Sequence, residues 1–177
     1  LAGLGAVVYA LGLQHGAMAI YNAYCDRAPV FMLVGNGLDA TQRRPGVEFV
    51  HTASDCASMV RDFIKWDDVP VSLTHFAESA VRGYKIAMTP PMMPVLLIAD
   101  GDLQERPMEG AAPRIPKLPT MAPPVGDPSA LADVARMLLA AENPVLVADR
   151  AARTHNGMKL LVELAEALQA PVIDQWG

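Results

Sequence analysis

Ser72-Leu-Thr-His-Phe-Ala-Glu-Ser-Ala-Val-Arg-Gly-Tyr-Lys-Ile-Ala-Met-Thr-Pro-Pro-Met-Met-Pro-Val-Leu-Leu-Ile-Ala-Asp100 is the stretch that decides the fold. Its first part puts Leu73, Phe76, Ala77, Ala80, Val81, Tyr84 and Met88 on one helix face, because residues three and four apart share a side of the helix. Ser72 stands where an N-cap is expected, its hydroxyl able to accept from an orphan backbone N–H. The second part, Pro94-Val-Leu-Leu-Ile-Ala99, is a continuous apolar run. Such a run suits a strand covered on both faces, as in a parallel sheet. Pro fits at its start, where no ladder donor is missed.

The same Pro-Val opening recurs at Pro29-Val-Phe-Met-Leu-Val34, Pro144-Val-Leu-Val-Ala148 and Pro171-Val-Ile173. Helical spacing precedes the last two. Leu131, Val134, Ala135, Leu138 and Leu139 form one face, with Asp127 or Ser129 near its start. Met158, Leu161, Val162, Ala165 and Leu168 form another, entered through Asn156-Gly157. Helix then strand, repeated with short connections, implies an α/β fold of doubly wound, parallel-sheet units. The pattern breaks from Gly101 to Pro128, which carries about half of the 15 prolines and no apolar period. Such a segment favours extended conformations. The expected organisation is therefore one α/β unit over 1–100, a Pro-rich interdomain linker over 101–127, and the start of a second unit over 128–177.

At 177 residues the chain is long enough for one domain, or one and a fraction. It is 52% hydrophobic and 19% charged, with a formal net charge of −5. That charge repels a phosphate backbone, and no Lys/Arg block suits an anionic membrane, so neither nucleic acid nor membrane is expected as a partner. Cys25 and Cys56 lack CxxC spacing and read as free thiols of a reducing compartment, which predicts a cytoplasmic protein. Leu1 to Val8 reads as a buried strand entered part-way, and Asp174-Gln-Trp-Gly177 follows a strand-like run directly; both ends are expected to lie inside a longer chain. The four histidines are scattered without metal-ligand spacing, and His75 reads as a structural residue of its helix. Gly3-x-Gly5 is too short for a dinucleotide fingerprint. Asp55, Asp62, Asp67 and Asp68 gather near Arg61 and Lys65 as a solvated, ion-paired surface.

Longer strings carry more. Gly12-Leu-Gln-His-Gly-Ala-Met-Ala-Ile-Tyr-Asn-Ala-Tyr-Cys-Asp-Arg-Ala-Pro-Val-Phe-Met-Leu-Val-Gly-Asn36 resembles a stretch of the pyrimidine-binding domain of thiamine-diphosphate-dependent enzymes of the acetolactate synthase and benzoylformate decarboxylase type. In that domain a Gly-rich turn leads into a helix, then a strand ending in Gly-Gln or Gly-Asn. His51-Thr-Ala-Ser-Asp55 and Val60-Arg-Asp-Phe-Ile-Lys-Trp66 resemble the following segment, with its Arg-x3-Lys string. Ala80-Val-Arg-Gly-Tyr-Lys-Ile-Ala-Met88 and Asp100 resemble the close of the domain. Ala141-Glu-Asn-Pro-Val-Leu-Val-Ala-Asp-Arg150 resembles the opening of the family's central Rossmann-like domain, and Leu164-Ala-Glu-Ala-Leu-Gln-Ala-Pro-Val172 its second strand. These matches run in family order over nearly all of residues 11–177.

The resemblance implies a fragment of a lyase or transferase that decarboxylates a 2-keto acid and protonates or condenses the enamine. Thiamine diphosphate would carry the chemistry, and the protein would bind and orient. It implies cofactor contacts at Leu11, Gly12, His15 and Asn36, and substrate contacts at His51, Thr52, Arg61 and Lys65. The activating glutamate would lie upstream, and the domain holding the diphosphate and Mg²⁺ downstream, so this fragment alone should be inactive. The family's site spans two subunits, which implies a homodimer or homotetramer. FAD is admitted by some members, but Asp149-Arg150-Ala151 stands where they carry a Gly-Arg-Gly type string. Tyr9-Ala-Leu-Gly-Leu-Gln-His15 replaces the synthases' Ser-Gly-Pro-Gly-Ala-Thr-Asn, and Val8 stands where decarboxylases carry His. That altered turn motivates a second expectation, a non-catalytic assembly or regulatory subunit of the same fold.

Overall fold

The computed structural model describes residues 3–7, 9–37, 52–118 and 124–175. The chain divides into two compact units, 1–123 and 124–177. In the first, strand β1 (Gly3–Val7), helix α1 (Tyr9–Cys25), strand β2 (Val30–Asn36), strand β3 (Trp66–Asp68), helix α2 (Leu73–Met88), strand β4 (Val95–Asp100) and helix α3 (Gly101–Glu105) follow in order. Two 3-10 turns, Cys56–Met59 and Arg61–Phe63, precede β3. The four strands form a parallel sheet in the order β1-β2-β4-β3.

Alternation along the strands assigns the two faces. Met32, Val34, Leu96 and Ile98 join Leu13 and Ile20 of α1, with Cys56, Ala57, Val60 and Ile64, in the main core. α2 covers the other face. There a Cβ on Gly83 would stand 2.9 Å from the Trp66 ring and 3.0 Å from that of Phe31, so helix and sheet approach closely where the side chain is missing. Ser79, Gly83 and Ala87 are the buried residues of α2. The Leu73–Tyr84 stripe therefore faces elsewhere. With Met108, Pro113, Ile115 and Leu118 it lines an apolar groove of about 470 Å³. The Pro-rich stretch is thus more than a tether: α3 occupies its start, and its scattered apolar side chains meet α2.

The second unit holds helix α4 (Pro128–Ala140), strand β5 (Leu146–Ala148), helix α5 (His155–Leu168) and strand β6 (Val172–Asp174), with β5 and β6 parallel. The two sheets are separate. Local chemistry explains the helix starts. Ser72 accepts from His75 N–H to cap α2, Asp127 accepts from Ser129 and Ala130 N–H to cap α4, and Thr154 accepts from Gly157 N–H to cap α5. α5 begins at His155, a residue ahead of the expected Asn156-Gly157 entry. Gln169, left-handed at φ 50°, ends it. No helix of the described residues is long and apolar enough to cross a membrane.

Candidate functional site

In an open parallel sheet, ligands seat outside the carboxyl ends of the strands. In the first unit that edge gathers the ends of β1, β2 and β4, and α1 rises from it directly after β1. Asn36, the last residue of β2, lies opposite Asp100, the last residue of β4. Asn36 is 1% exposed and Asp100 fully buried. Asn36 Nδ2 donates to Asp100 Oδ1 at 3.1 Å and to Ala53 O at 3.2 Å. Those two acceptors fix the amide's orientation, since the reverse would press oxygen against oxygen. Asn36 Oδ1 then points away as a buried acceptor with no partner among the described residues. Buried acceptors are almost always paired, so this one marks a place for a donor. The bond to Ala53 O also brings the segment carrying Thr52 to this edge. Nearby, Gln104 Nε2 donates to Ala99 O at 2.7 Å and lies 3.2 Å from where a Cβ on Gly35 would stand, folding α3 over the strand ends.

Leu11, Gly12 and His15 occupy the early turns of α1 at the same edge. Leu11 is 46% exposed and His15 is also exposed. His15 Nδ1 lies 3.3 Å from Leu11 O. As a donor contact it places a ring proton on Nδ1. α1 carries no Asp, Glu, Lys or Arg. The edge thus carries an apolar side chain, an imidazole and a buried amide acceptor.

Arg61 and Lys65 are engaged elsewhere. Arg61 bonds Asp55 through Nη1 and Nη2 at 2.9 and 2.8 Å, and Asp67 through Nε and Nη2 at 3.2 and 3.1 Å. The two carboxylates hold its proton more tightly than usual, the hydrogen bond to Asp55 contributing most. Lys65 Nζ donates to Ile86 O, Thr89 O and Pro91 O at 3.1, 2.6 and 3.0 Å, serving the orphan carbonyls at the end of α2. Burial of its ammonium lowers its pKa from the ordinary 10.5. Lys65 precedes Trp66, which pairs with Val95 at the start of β4. From Val95 to Asp100 the strand advances roughly 16 Å at ~3.3 Å per residue, so Lys65 sits at the opposite end of the sheet from Asn36. His51 lies outside the described residues.

His75 has a structural setting. Its Nε2 lies 3.1 Å from Asp68 Oδ2, and Val71 N–H reaches Nδ1 at 3.4 Å. The Ser79 hydroxyl donates to the same Asp68 oxygen. This cluster ties the end of β3 to the start of α2. Among the described residues no three His, Cys, Asp or Glu side chains group to hold a metal ion.

In the second unit a cavity of about 450 Å³ opens beyond β5 and β6, lined by Asp149, Arg150, Arg153 and Asp174 among others. A flavin's pyrophosphate needs a close glycine turn and an open helix N-terminus. Here the turn from Asp149 to Thr154 has no glycine, Thr154 already caps α5, and two carboxylates line the space. These residues do not fit that group.

The class this architecture defines is a parallel α/β unit with its polar groups at the carboxyl edge, followed by a second parallel unit. Its fold is similar to one segment of solved thiamine-diphosphate-dependent enzymes. It is similar to a protein from Mycobacterium smegmatis named as a thiamin diphosphate-dependent enzyme, at a TM-score of 0.80 and 26% identity, over 98% of this chain and 32% of that one. It shares the fold of the thiamine diphosphate-dependent 4-hydroxybenzoylformate decarboxylase of Rhodococcus jostii RHA1, at a TM-score of 0.80 and 23% identity, over the same shares. The chain therefore spans about a third of the length of these solved enzymes. No family model and no curated protein sequence matches it.

Proposed function

We propose that this chain forms part of a thiamine-diphosphate-dependent enzyme that decarboxylates a 2-keto acid and then protonates or condenses the product carbanion equivalent. The observation that carries this reading is the likeness of nearly the whole chain, through both units, to one enzyme named for that cofactor. When bound, thiamine diphosphate would supply the electron sink for decarboxylation, with Mg²⁺ held by residues outside this chain. Leu11, Gly12 and His15 would form the wall against the aminopyrimidine, and the open acceptor at Asn36 Oδ1 suits an N–H donor of that ring. Thr52, with His51, would face the substrate. Arg61 and Lys65 could reach substrate only by exchanging the contacts they now make. A homodimer or homotetramer in the cytoplasm completes the proposal.

The commitment of Arg61 and Lys65 to structural partners favours a second reading, a non-catalytic assembly or regulatory subunit of the same fold. Calorimetric titration of the full-length protein with thiamine diphosphate and Mg²⁺ separates the two. The enzyme reading expects saturable binding, weakened at least tenfold by Asn36→Ala, and release of carbon dioxide from a 2-keto acid. Binding without turnover across a panel of 2-keto acids would favour the regulatory reading, and absence of binding would remove the first.

A further inference from the structure

The contact between the Pro-rich segment and α2 has an unusual composition. Arg106 is anchored, its N–H bonded to Asp102 O at 3.0 Å and its guanidinium paired with Asp102 at 2.9 Å. Beyond it, residues 107–118 form no helix or strand, and among the described residues no hydrogen bond or ion pair ties them to the rest. Gly110 turns the chain at φ 79°, with nothing within 4 Å of where its Cβ would stand. Among the described residues, what holds the segment is apolar side chains: Met108, Pro113, Ile115 and Leu118 against the α2 stripe. The fit is loose. Ile115 remains 70% exposed, Met108 58% and Leu118 47%, and the groove is only partly filled. The sheet-facing side of α2, through Ser79, Gly83 and Ala87, makes no use of the segment.

We propose that residues 107–118 are a detachable strap, hinged at Arg106 and Gly110, that undocks from α2 while the first unit stays folded. Regions with few buried contacts and solvent-facing backbone open with low free energy, independently of the core. The prolines keep the released strap extended, so little ordering is lost or gained on redocking. Release bares Phe76, Val81 and Tyr84 and leaves a free segment of on the order of 30–40 Å contour length at ~3 Å per residue. The strap's charged residues, Glu109, Arg114 and Lys117, keep it soluble when free.

The test reads opening beneath the strap against opening of the core, in the full-length protein. Ala80→Cys places a thiol under the strap, and native Cys56, 2% exposed, reports the core. Alkylation at each site is followed by mass spectrometry under native conditions. The strap model expects Ala80→Cys to label faster than Cys56, and Ile115→Asp with Leu118→Asp to speed it a further tenfold or more while Cys56 is unchanged. If both sites accelerate together, the segment is an integral part of the first unit and the proposal fails. If the paired substitution leaves Ala80→Cys labelling unchanged, the strap does not cover α2, and the proposal fails as well. Neither result depends on cofactor binding or turnover, so the functional reading stands or falls separately.

Discussion

β4 and β6 both follow a Pro-Val opening, yet among the strands whose burial is described one is the most enclosed and the other the barest. Every residue from Val95 to Asp100 is buried, and every residue from Val172 to Asp174 is exposed. β4 has strand neighbours on both sides, α1 over one face and α2 over the other. β6 has β5 on one side only, and neither α4 nor α5 has a buried residue. The apolar run thus encodes a strand that wants two covers, without supplying them. Where chain partners exist, the run becomes core; in the second unit Val147, Ile173, Met137 and Leu139 remain open to solvent.

The largest test of that contrast pairs Leu96→Ala with Ile173→Ala. Leu96 is fully buried, so its truncation should cost ~2–5 kcal/mol, read as a lower urea midpoint at unchanged slope. Ile173 is 51% exposed, and within the 177-residue chain its truncation should stay within about 0.5 kcal/mol. In a longer protein that covers β6, the second value should climb toward the first. Equal costs within the 177-residue chain would break the contrast. Next in size is Gly83→Ala, where the new methyl must push between the Trp66 and Phe31 rings. Overpacking of that kind costs about 1–3 kcal/mol. The matched change in the second unit, Gly157→Ala, meets Thr154 Oγ1 at 3.0 Å on an exposed helix start. It should cost less, because an exposed turn can shift.

Much of the fold was legible because its signals are local. Each Pro-Val run became a strand, beginning at its valine in three cases and at Leu146, one residue later, in the fourth, and Ser72 and Asp127 cap the helices they precede. β3 was not legible: Trp66-Asp-Asp68 has no apolar alternation, and it is a strand only because it pairs with β4. The α2 stripe showed its helix but not its neighbour, since a period of 3.6 gives a face without naming what it meets. At the site, the family likeness pointed to Asn36. Its bond to Asp100, 64 residues away, could not be read from either string. An acid directly after six apolar residues was the available clue. Lys65 shows the converse, since a conspicuous cation in a motif serves the carbonyls of a helix that sequence spacing could not bring near it.

The smallest effect separates the two units by their caps. Ser72 caps α2 with a hydroxyl that does not titrate, whereas Asp127 caps α4 with a carboxylate. Hydrogen bonds from the Ser129 side chain, then from Ala130 and Ser129 N–H, hold the Asp127 carboxyl below its usual 3.8. Its folded pKa is thus lower than its unfolded one, and protonation favours the uncapped chain. The cap's contribution is complete above about pH 4–5 and is lost as pH falls through the depressed folded value. α4 buries no residue, so little else resists fraying there. Backbone amide shifts followed from about pH 6 down to 2 should show α4 losing helicity at its first turn while α2 holds. Asp127→Asn keeps an acceptor that cannot titrate, and should flatten the α4 response without altering α2. Parallel fraying of both helices in the wild-type chain would mean that acid acts on the first unit's core, and that the caps do not distinguish the units.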